Sequence, residues 1–234
     1  MRESVATACR VLAATGLVEH VLGHISLRVA PAELLLRCRG PEESGLAYTT
    51  AADIRRVPMD GTPDLGGWSV PNELPIHVEV MRARPDVTAV VHAHPPDVVT
   101  MSLLDAAWLP IFGAYDIPAA RMAADGIPVW PRSVLVNSTA LGQEMAAALG
   151  ARPVLVLRGH GLVSAATGPA EQALRRAMLQ AVAVNSLAAA TLAVLRAGGT
   201  PRAIPPDDLA LLPDLGAGFN VDTMWRHLVR KTAE

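Results

Sequence analysis

Two histidines one residue apart, His92 and His94, lie in the segment VVHAHPPDVVTMSLLD, residues 90–105. The residues TAVVHA, 88–93, are apolar and partly β-branched, so they predict a strand that ends at the histidines. Residues two apart on a strand project from the same face, so both imidazoles should point the same way. Imidazole pairs suit zinc, manganese, iron or cobalt. The spacing therefore predicts a site for a divalent metal ion without choosing a reaction.

The same segment also fits the spacing of the JAMM zinc isopeptidases. In that family a His-x-His pair is followed by seven residues, a serine, two residues and an aspartate, and here Ser102 and Asp105 stand at those positions. The histidine pair and Asp105 would then hold zinc, with Glu73 as the base of a hydrolytic reaction. Against this interpretation, Ala93 stands where those enzymes have serine or threonine, and His160 is left without a role.

A third histidine, His160, suggests a different metal site. It lies between two glycines in LRGHGLVS, 157–164, directly after the apolar segment PVLVLR, 153–158. Such a segment predicts a strand buried on both faces, and its flanking glycines give His160 little to pack against. Three histidines and a carboxylate would leave positions open for substrate, as in catalytic metal sites. The predicted ligand set is His92, His94, His160 and Glu73.

Glu73 begins a predicted helix over 73–84, with Asn72 as its N-cap and Pro75 tolerated in the first turn. A carboxylate in a first helical turn is stabilised by the helix dipole by about 0.3–1 kcal/mol. Glu73 could therefore bind the metal, transfer a proton, or do both.

The elements around these residues alternate between strand and helix, which predicts an α/β fold in three layers, α/β/α. HISLRV, 24–29, alternates so that His24, Ser26 and Arg28 share one face. Further strands are predicted over 33–39, 88–93, 109–113, 127–130, 133–136 and 153–158. Helices are predicted over 3–15 and 73–84, from Pro95, from Ser138 to Gly150, and for about 28 residues from Pro169.

The composition limits the classes of function. The chain has 234 residues, so a single domain over 1–234 is the simplest expectation. Its 20 basic and 22 acidic residues provide no basic surface for nucleic acid or membranes. Polar residues, among them Gln180 and Asn185, interrupt the long apolar stretch near 177–197 and favour a buried helix. The two distant cysteines, Cys9 and Cys38, suggest a reducing cytoplasm.

Three segments together resemble the class II aldolase/adducin family across most of the chain: GHISLR, NELPIHVEVMRARPDVTAVVHAHPP and RGHGLV. The resemblance implies that Glu73, His92, His94 and His160 hold one divalent metal per subunit. It also implies a central, mostly antiparallel sheet in the α/β/α fold. A homotetramer with sites near subunit interfaces is a further implication.

The chain departs from the sugar-phosphate aldolases of that family at the groups that hold phosphate. Those aldolases have Gly-Asn in the first motif and Ser-Ser before the glutamate, where this chain has Gly23-His24 and Pro71-Asn72. Their tyrosine proton donor falls in a segment that corresponds to 127–135, which contains Trp130 and Arg132 instead. A phosphorylated sugar is therefore a poor candidate substrate.

In place of those phosphate-binding groups the chain has arginines, and guanidinium groups form hydrogen-bonded ion pairs with carboxylates. GHISLR, RCRGPE and LRGHG together are most similar to the decarboxylase branch of the family, whose substrates are hydroxylated aromatic or pyridine dicarboxylates. We therefore expect a carboxy-lyase that removes a carboxylate ortho to a phenol. The candidate substrate-binding residues are Arg39, Arg37, Ser26, Arg158 and Arg132, and the candidate proton donors are Glu73 and His24. Retro-aldol cleavage and a metal-free scaffold are the alternative functions.

Overall fold

The computed structural model describes residues 1–61 and 64–232, so the last two residues of the expected domain lie outside it. Its strands are β1 (His24–Ala30), β2 (Glu33–Arg37), β3 (Ile54–Pro58), β4 (Val87–Ala93), β5 (Val129–Trp130), β6 (Val154–Leu157) and β7 (Gly161–Thr167). They form one sheet in the order β3-β2-β1-β4-β7-β6-β5. Every neighbouring pair is antiparallel except β5 and β6, which are parallel.

Helices cover both faces of this sheet, which confirms the expected three-layer α/β/α fold. They are α1 (Arg2–Ala14), α2 (Leu74–Ala83), α3 (Pro96–Ser102), α4 (Ile117–Asp125), α5 (Thr139–Leu149), α6 (Ala170–Arg196), α7 (Pro206–Leu211) and α8 (Met224–Lys231). Apolar residues of α1, α3, α4 and α6 pack on one face, and those of α2 and α5 pack on the other. The sheet thus separates two apolar layers.

Strand β1 has the predicted alternation, and the two sets of side chains have different surroundings. Ile25 and Leu27 are fully buried in the layer formed with α1 and α6. His24 and Ser26 are also buried, but on the α2 side of the sheet. In the antiparallel register His24 lies opposite His92 of β4. This register therefore brings a second polar strand end next to the histidine pair.

Helix α6 is the long helix predicted from Pro169. By length and composition alone it could cross a membrane. It packs against β4 and β7, however, and its buried residues include Ala177, Ala181 and Leu187. Small alanine side chains let this helix lie close to the sheet, so the structure gives it the role of a core helix.

Several predicted elements differ from the structure. Residues 109–113 and 133–136 are not strands, although Ile111 packs on the apolar layer of α6. A short apolar run can be a strand or another kind of buried segment, and the residue pattern alone does not decide between them. Residues 133–136 have another role, since the backbone N–H of Val136 donates to Glu73 Oε1 at 2.9 Å. Strands β3 and β7 and helix α4 were not predicted.

Helix α2 begins one residue later than predicted. Its first residue is Leu74, so Glu73, not Asn72, takes the N-cap position. Pro75 fits the first turn because it has no N–H to leave unpaired. The Glu73 side chain makes no capping hydrogen bond. It is therefore free to face the histidines.

Candidate metal centre

The four predicted ligands meet at one end of the sheet. Glu73 precedes α2, His92 ends β4, His94 follows it, and His160 occupies the turn between β6 and β7. One ligand atom from each residue lies within 4.8 Å of the corresponding atoms of the other three. Residues far apart in sequence thus converge because β4 is central and β7 is its neighbour in the sheet.

The Gly-His-Gly sequence explains how His160 reaches the histidine pair. Gly159 has φ of +63°, a left-handed conformation that glycine adopts without strain. A side chain at position 161 would collide with the carbonyl oxygen of Ala93, so Gly161 permits the close approach of the turn to β4. The hydroxyl of Ser102 accepts a hydrogen bond from the Gly159 N–H at 2.8 Å and holds the turn from the other side.

The imidazoles are oriented as metal ligands would be. His92 Nδ1 lies 3.0 Å from the carbonyl oxygen of Leu162, so it donates its proton there and leaves the Nε2 lone pair free. His94 Nε2 lies only 2.7 Å from His92 Nε2. His160 Nδ1 is buried and has no hydrogen-bond partner among the described residues. The Nε2 atoms of His92 and His94 therefore meet, and Nε2 of His160 faces the same Glu73 carboxylate as His92 Nε2.

The carboxylate of Glu73 completes the set. Its oxygens lie 3.3 Å from His92 Nε2 and 3.5 Å from His160 Nε2. Burial alone would raise the pKa of Glu73, but the imidazoles of His160, His24 and His92 around its carboxylate outweigh burial and hold that pKa well below its ordinary value. Glu73 is therefore an anion in this site.

Burial favours the neutral form of His94 and His24, and a neutral imidazole is the form that binds metals. The pKa of His94 is lowered to about 3, chiefly by burial and also by the nearby His92 and His160. The pKa of His24 is lowered to about 4, chiefly by burial, with Glu73 opposing that shift. Three imidazoles and one carboxylate form a donor set that suits zinc, manganese, iron or cobalt. The residues present thus fit one divalent ion.

His24 lies beside this centre, and a residue that the sequence analysis missed lies behind it. His24 Nε2 is 3.8 Å from Glu73 Oε2. His24 Nδ1 is 2.7 Å from Nε2 of His77, whose Nδ1 is 2.6 Å from the Ser26 hydroxyl. His77 is fully buried. It could have been found in the sequence, because it follows Glu73 by four residues and so lies near it on one helical face.

Three candidate substrate residues on or next to β1 and β2 differ in their surroundings. Arg37 is buried and forms an ion pair with Glu43, so its charge is already used within the protein. Arg39 is partly exposed, and its positive charge contributes to the low pKa of His24. Ser26 is fully buried behind His24 and bonds to His77. Of these three residues, only Arg39 is partly exposed.

The other two arginines lie outside the cluster. Arg132 pairs with Glu144 at 2.6 Å, and both side chains are nearly half exposed. Trp130 is buried and donates to the same carboxylate at 3.0 Å. Arg158 lines a cleft of about 750 Å³, together with residues of the α3 end such as Leu103. None of the four ligands lines that cleft.

The isopeptidase interpretation is wrong. Asp105 is exposed and is absent from the cluster of ligand atoms. The Ser102 hydroxyl donates to the carbonyl oxygen of Val99 at 2.7 Å and accepts from Gly159, so it supports the His160 turn. The spacing that suggested a protease is therefore explained by helix α3 and its contact with the β6–β7 turn.

The fold and the four ligands define the class of this protein. Residues 3–192 match the class II aldolase and adducin N-terminal domain, and the chain belongs to that family. The predicted resemblance and the fold of this type are thereby confirmed. An aldolase II superfamily protein from Pseudomonas syringae has the same fold, with a TM-score of 0.80 and 23% identity over 99% of this chain and 91% of that one.

Curated relatives lie in the decarboxylase branch, as expected. A 3,4-dihydroxyphthalate decarboxylase from Arthrobacter keyseri is 55% identical over 97% of this chain and 91% of that protein. A 3,4-dihydroxyphthalate decarboxylase from Terrabacter sp. (strain DBF63) is 53% identical over 98% of this chain and 96% of that protein. The similarity thus extends well beyond the metal motifs.

Proposed function

We propose that this protein is a divalent-metal-dependent carboxy-lyase that converts 3,4-dihydroxyphthalate to protocatechuate and CO₂. The observation that carries the proposal is the cluster of three imidazoles around the Glu73 carboxylate. The identity of 50% or more to three 3,4-dihydroxyphthalate decarboxylases supports this substrate. A divalent ion held there would act as a Lewis acid on the phenolic oxygen next to the departing carboxylate.

Glu73 is the proposed proton carrier. Its carboxylate takes the proton of the substrate's phenol, and the resulting phenolate donates electron density into the ring. Glu73 then gives that proton to the ring carbon that bears the ortho carboxylate, so that the phenolate oxygen becomes a ketone. The bond between that carbon and the carboxylate breaks, CO₂ leaves, and the electron pair returns through the ring to the oxygen, which is again a phenolate and regains a proton from solvent on release. Protons and electrons balance without an oxidant or a reductant.

His24 and Arg39 are the proposed binding groups for the substrate's negative charge. His24 Nε2 faces the same space as Glu73 Oε2, at 3.8 Å from it. Arg39 is near enough to lower the pKa of His24 and is partly exposed. A guanidinium pairs bidentately with a carboxylate, so we assign Arg39 to the carboxylate that remains on the ring.

We also propose which metal the protein binds, that it is a homotetramer and that it is cytoplasmic. The metal is one ion of zinc, manganese, cobalt or iron per subunit. Exposed Leu103 and Leu104, beside the cleft near His160, are consistent with a homotetramer whose sites lie near subunit interfaces. Cys9 and Cys38 are both free and buried, consistent with a cytoplasmic protein. Light scattering that gives a monomer would contradict the assembly.

An assay with two kinds of substrate tests the proposed reaction against retro-aldol cleavage. Purified protein loaded with Mn²⁺, Co²⁺ or Zn²⁺ should release CO₂ from 3,4-dihydroxyphthalate and leave L-fuculose 1-phosphate intact. His24 replaces an asparagine that the sugar-phosphate aldolases use for phosphate, which is the reason for the second expectation. Cleavage of the sugar phosphate, with the dicarboxylate untouched, would favour the aldolase function instead.

A further inference from the structure

A buried chain of three side chains runs from the inner side of the sheet to the metal centre. It consists of Ser26 on β1, His77 on α2 and His24 on β1, joined by contacts of 2.6 Å and 2.7 Å. Ser26 and His77 have no exposed surface, and His24 is 4% exposed. Burial of polar groups in an apolar layer costs free energy unless each group is hydrogen-bonded. The direction of each hydrogen bond in this chain is therefore constrained.

Each of the two short contacts in this chain holds a single proton, so the hydrogen bonds can run in only two directions, from Ser26 toward His24 or from His24 toward Ser26. Burial holds the pKa of His77 well below its ordinary value, which favours a His77 ring with one N–H.

One direction leaves unfavourable contacts. If His24 Nδ1–H donates to His77 and His77 Nδ1–H donates to Ser26, the hydroxyl proton needs another acceptor. Among the described residues, Ser26 Oγ has no hydrogen-bond partner except His77. The lone pair of His24 Nε2 would also face the Glu73 carboxylate at 3.8 Å. An unpaired buried proton and two facing lone pairs both cost free energy.

The other direction gives every proton inside the chain an acceptor. The Ser26 hydroxyl donates to His77 Nδ1, and His77 Nε2–H donates to His24 Nδ1. His24 then has its proton on Nε2, where it faces Glu73 Oε2. We propose that His77 is a positioning residue, held by Ser26, that fixes His24 in the Nε2–H tautomer so that His24 presents a hydrogen-bond donor to the substrate.

This inference rests on the proposed function only for its kinetic consequence. A fixed donor at His24 Nε2 would pair with an oxygen of the anionic substrate, whereas the other tautomer would present a lone pair to it. Loss of the partner that orients an active-site histidine typically reduces activity by about 10- to 100-fold. The tautomer itself is a property of the protein without substrate.

The experiment measures the tautomer directly in zinc-loaded, ¹⁵N-histidine-labelled protein by NMR, with the His24 signals assigned from a His24→Gln variant. The wild-type protein should have His24 protonated at Nε2 and unprotonated at Nδ1. In His77→Phe, which keeps a ring but removes the donor, His24 should become a mixture of tautomers. In His77→Gln, whose amide can donate to His24 Nδ1, the Nε2–H form should be retained.

A matched pair of serine variants keeps the test valid if replacement of His77 disturbs folding. Ser26→Ala should also mix the His24 tautomers, because it removes the donor to His77. Ser164→Ala is the control, since Ser164 is a fully buried serine on β7 that bonds to Gln180, on the opposite face of the sheet. It should leave the His24 tautomer unchanged.

Kinetics with the same proteins complete the test. His77→Phe should release CO₂ from 3,4-dihydroxyphthalate about 10- to 100-fold more slowly at unchanged zinc content, and His77→Gln should recover most of that loss. A wild-type His24 protonated at Nδ1, or an unchanged tautomer in both His77→Phe and Ser26→Ala, would overturn the inference. A wild-type protein that has the expected tautomer but releases no CO₂ would contradict the proposed function alone.

Discussion

The two faces of strand β1 are equally buried but are built from different chemistry. Ile25 and Leu27 are completely enclosed by apolar side chains on the α1 and α6 side. His24 and Ser26, which alternate with them, lie against His77 on the α2 side. One face contributes stability through apolar burial, and the other places polar groups where stability alone would not require them. The comparison suggests that the apolar face supports the geometry of the polar face.

Loss of a metal ligand should have the largest effect on the polar face. His160→Ala removes one of the three nitrogens, so the purified protein should retain no stoichiometric metal by elemental analysis, and CO₂ release should fall below detection. Asp105→Ala is the control, because Asp105 is exposed and lies outside the cluster. Metal loss in Asp105→Ala with metal retained in His160→Ala would reverse the assignment of the ligands.

A cavity on the apolar face should affect stability without affecting chemistry. Leu27→Ala removes a fully buried side chain from the α1/α6 layer, so the free energy of unfolding should fall by about 2–5 kcal/mol. Urea denaturation measures this loss. The metal content and kcat of the folded fraction should remain unchanged. A large loss of metal in Leu27→Ala would mean that the two faces are not separable.

The two arginines at the end of β2 should also have different roles, Arg39 in substrate binding and Arg37 in stability. Arg39→Ala should raise the KM for 3,4-dihydroxyphthalate by about 10- to 100-fold, which corresponds to one charge-assisted contact. Arg37→Ala should instead lower the free energy of unfolding by about 1–3 kcal/mol, because it leaves the Glu43 carboxylate without its partner. Steady-state kinetics and urea denaturation of both variants distinguish these roles. A KM effect in Arg37→Ala would place that side chain in the site.

The smallest effect is expected at a surface ion pair. Arg132→Ala breaks a contact with Glu144 in which both side chains are nearly half exposed, so the free energy of unfolding should change by less than about 1 kcal/mol. The KM should stay at the wild-type value. A raised KM, measured at saturating metal, would instead show that Arg132 contributes to substrate binding.

Patterns within single elements were predictable from the sequence. The alternation of β1 and the spacing of His92 and His94 on β4 depend on local geometry, and both agree with the structure. The run of apolar residues after Pro169 predicted α6 for the same reason. Family resemblance joined His160 and Glu73 to the histidine pair, and the structure brings all four together.

Features that depend on neighbours were not predictable. Strand β7 contains alanine, serine and threonine with weak alternation, and it is a strand because β4 and β6 enclose it. Val136 lies in a segment that resembles a strand, but its N–H bonds to Glu73 rather than to a sheet. Arg37 and Arg39 look alike in sequence, yet only Arg37 has Glu43 as its partner.

We predict that CO₂ release depends on one metal ion held by Glu73 and the three histidines. The direct measurement is a titration of metal-stripped protein with Mn²⁺, Co²⁺ or Zn²⁺, in which CO₂ release from 3,4-dihydroxyphthalate is followed at each addition. We predict no release without metal, a rise with each addition, and saturation at one ion per chain. Full activity in the metal-stripped protein, or none at saturating metal with any of the three ions, would contradict the account.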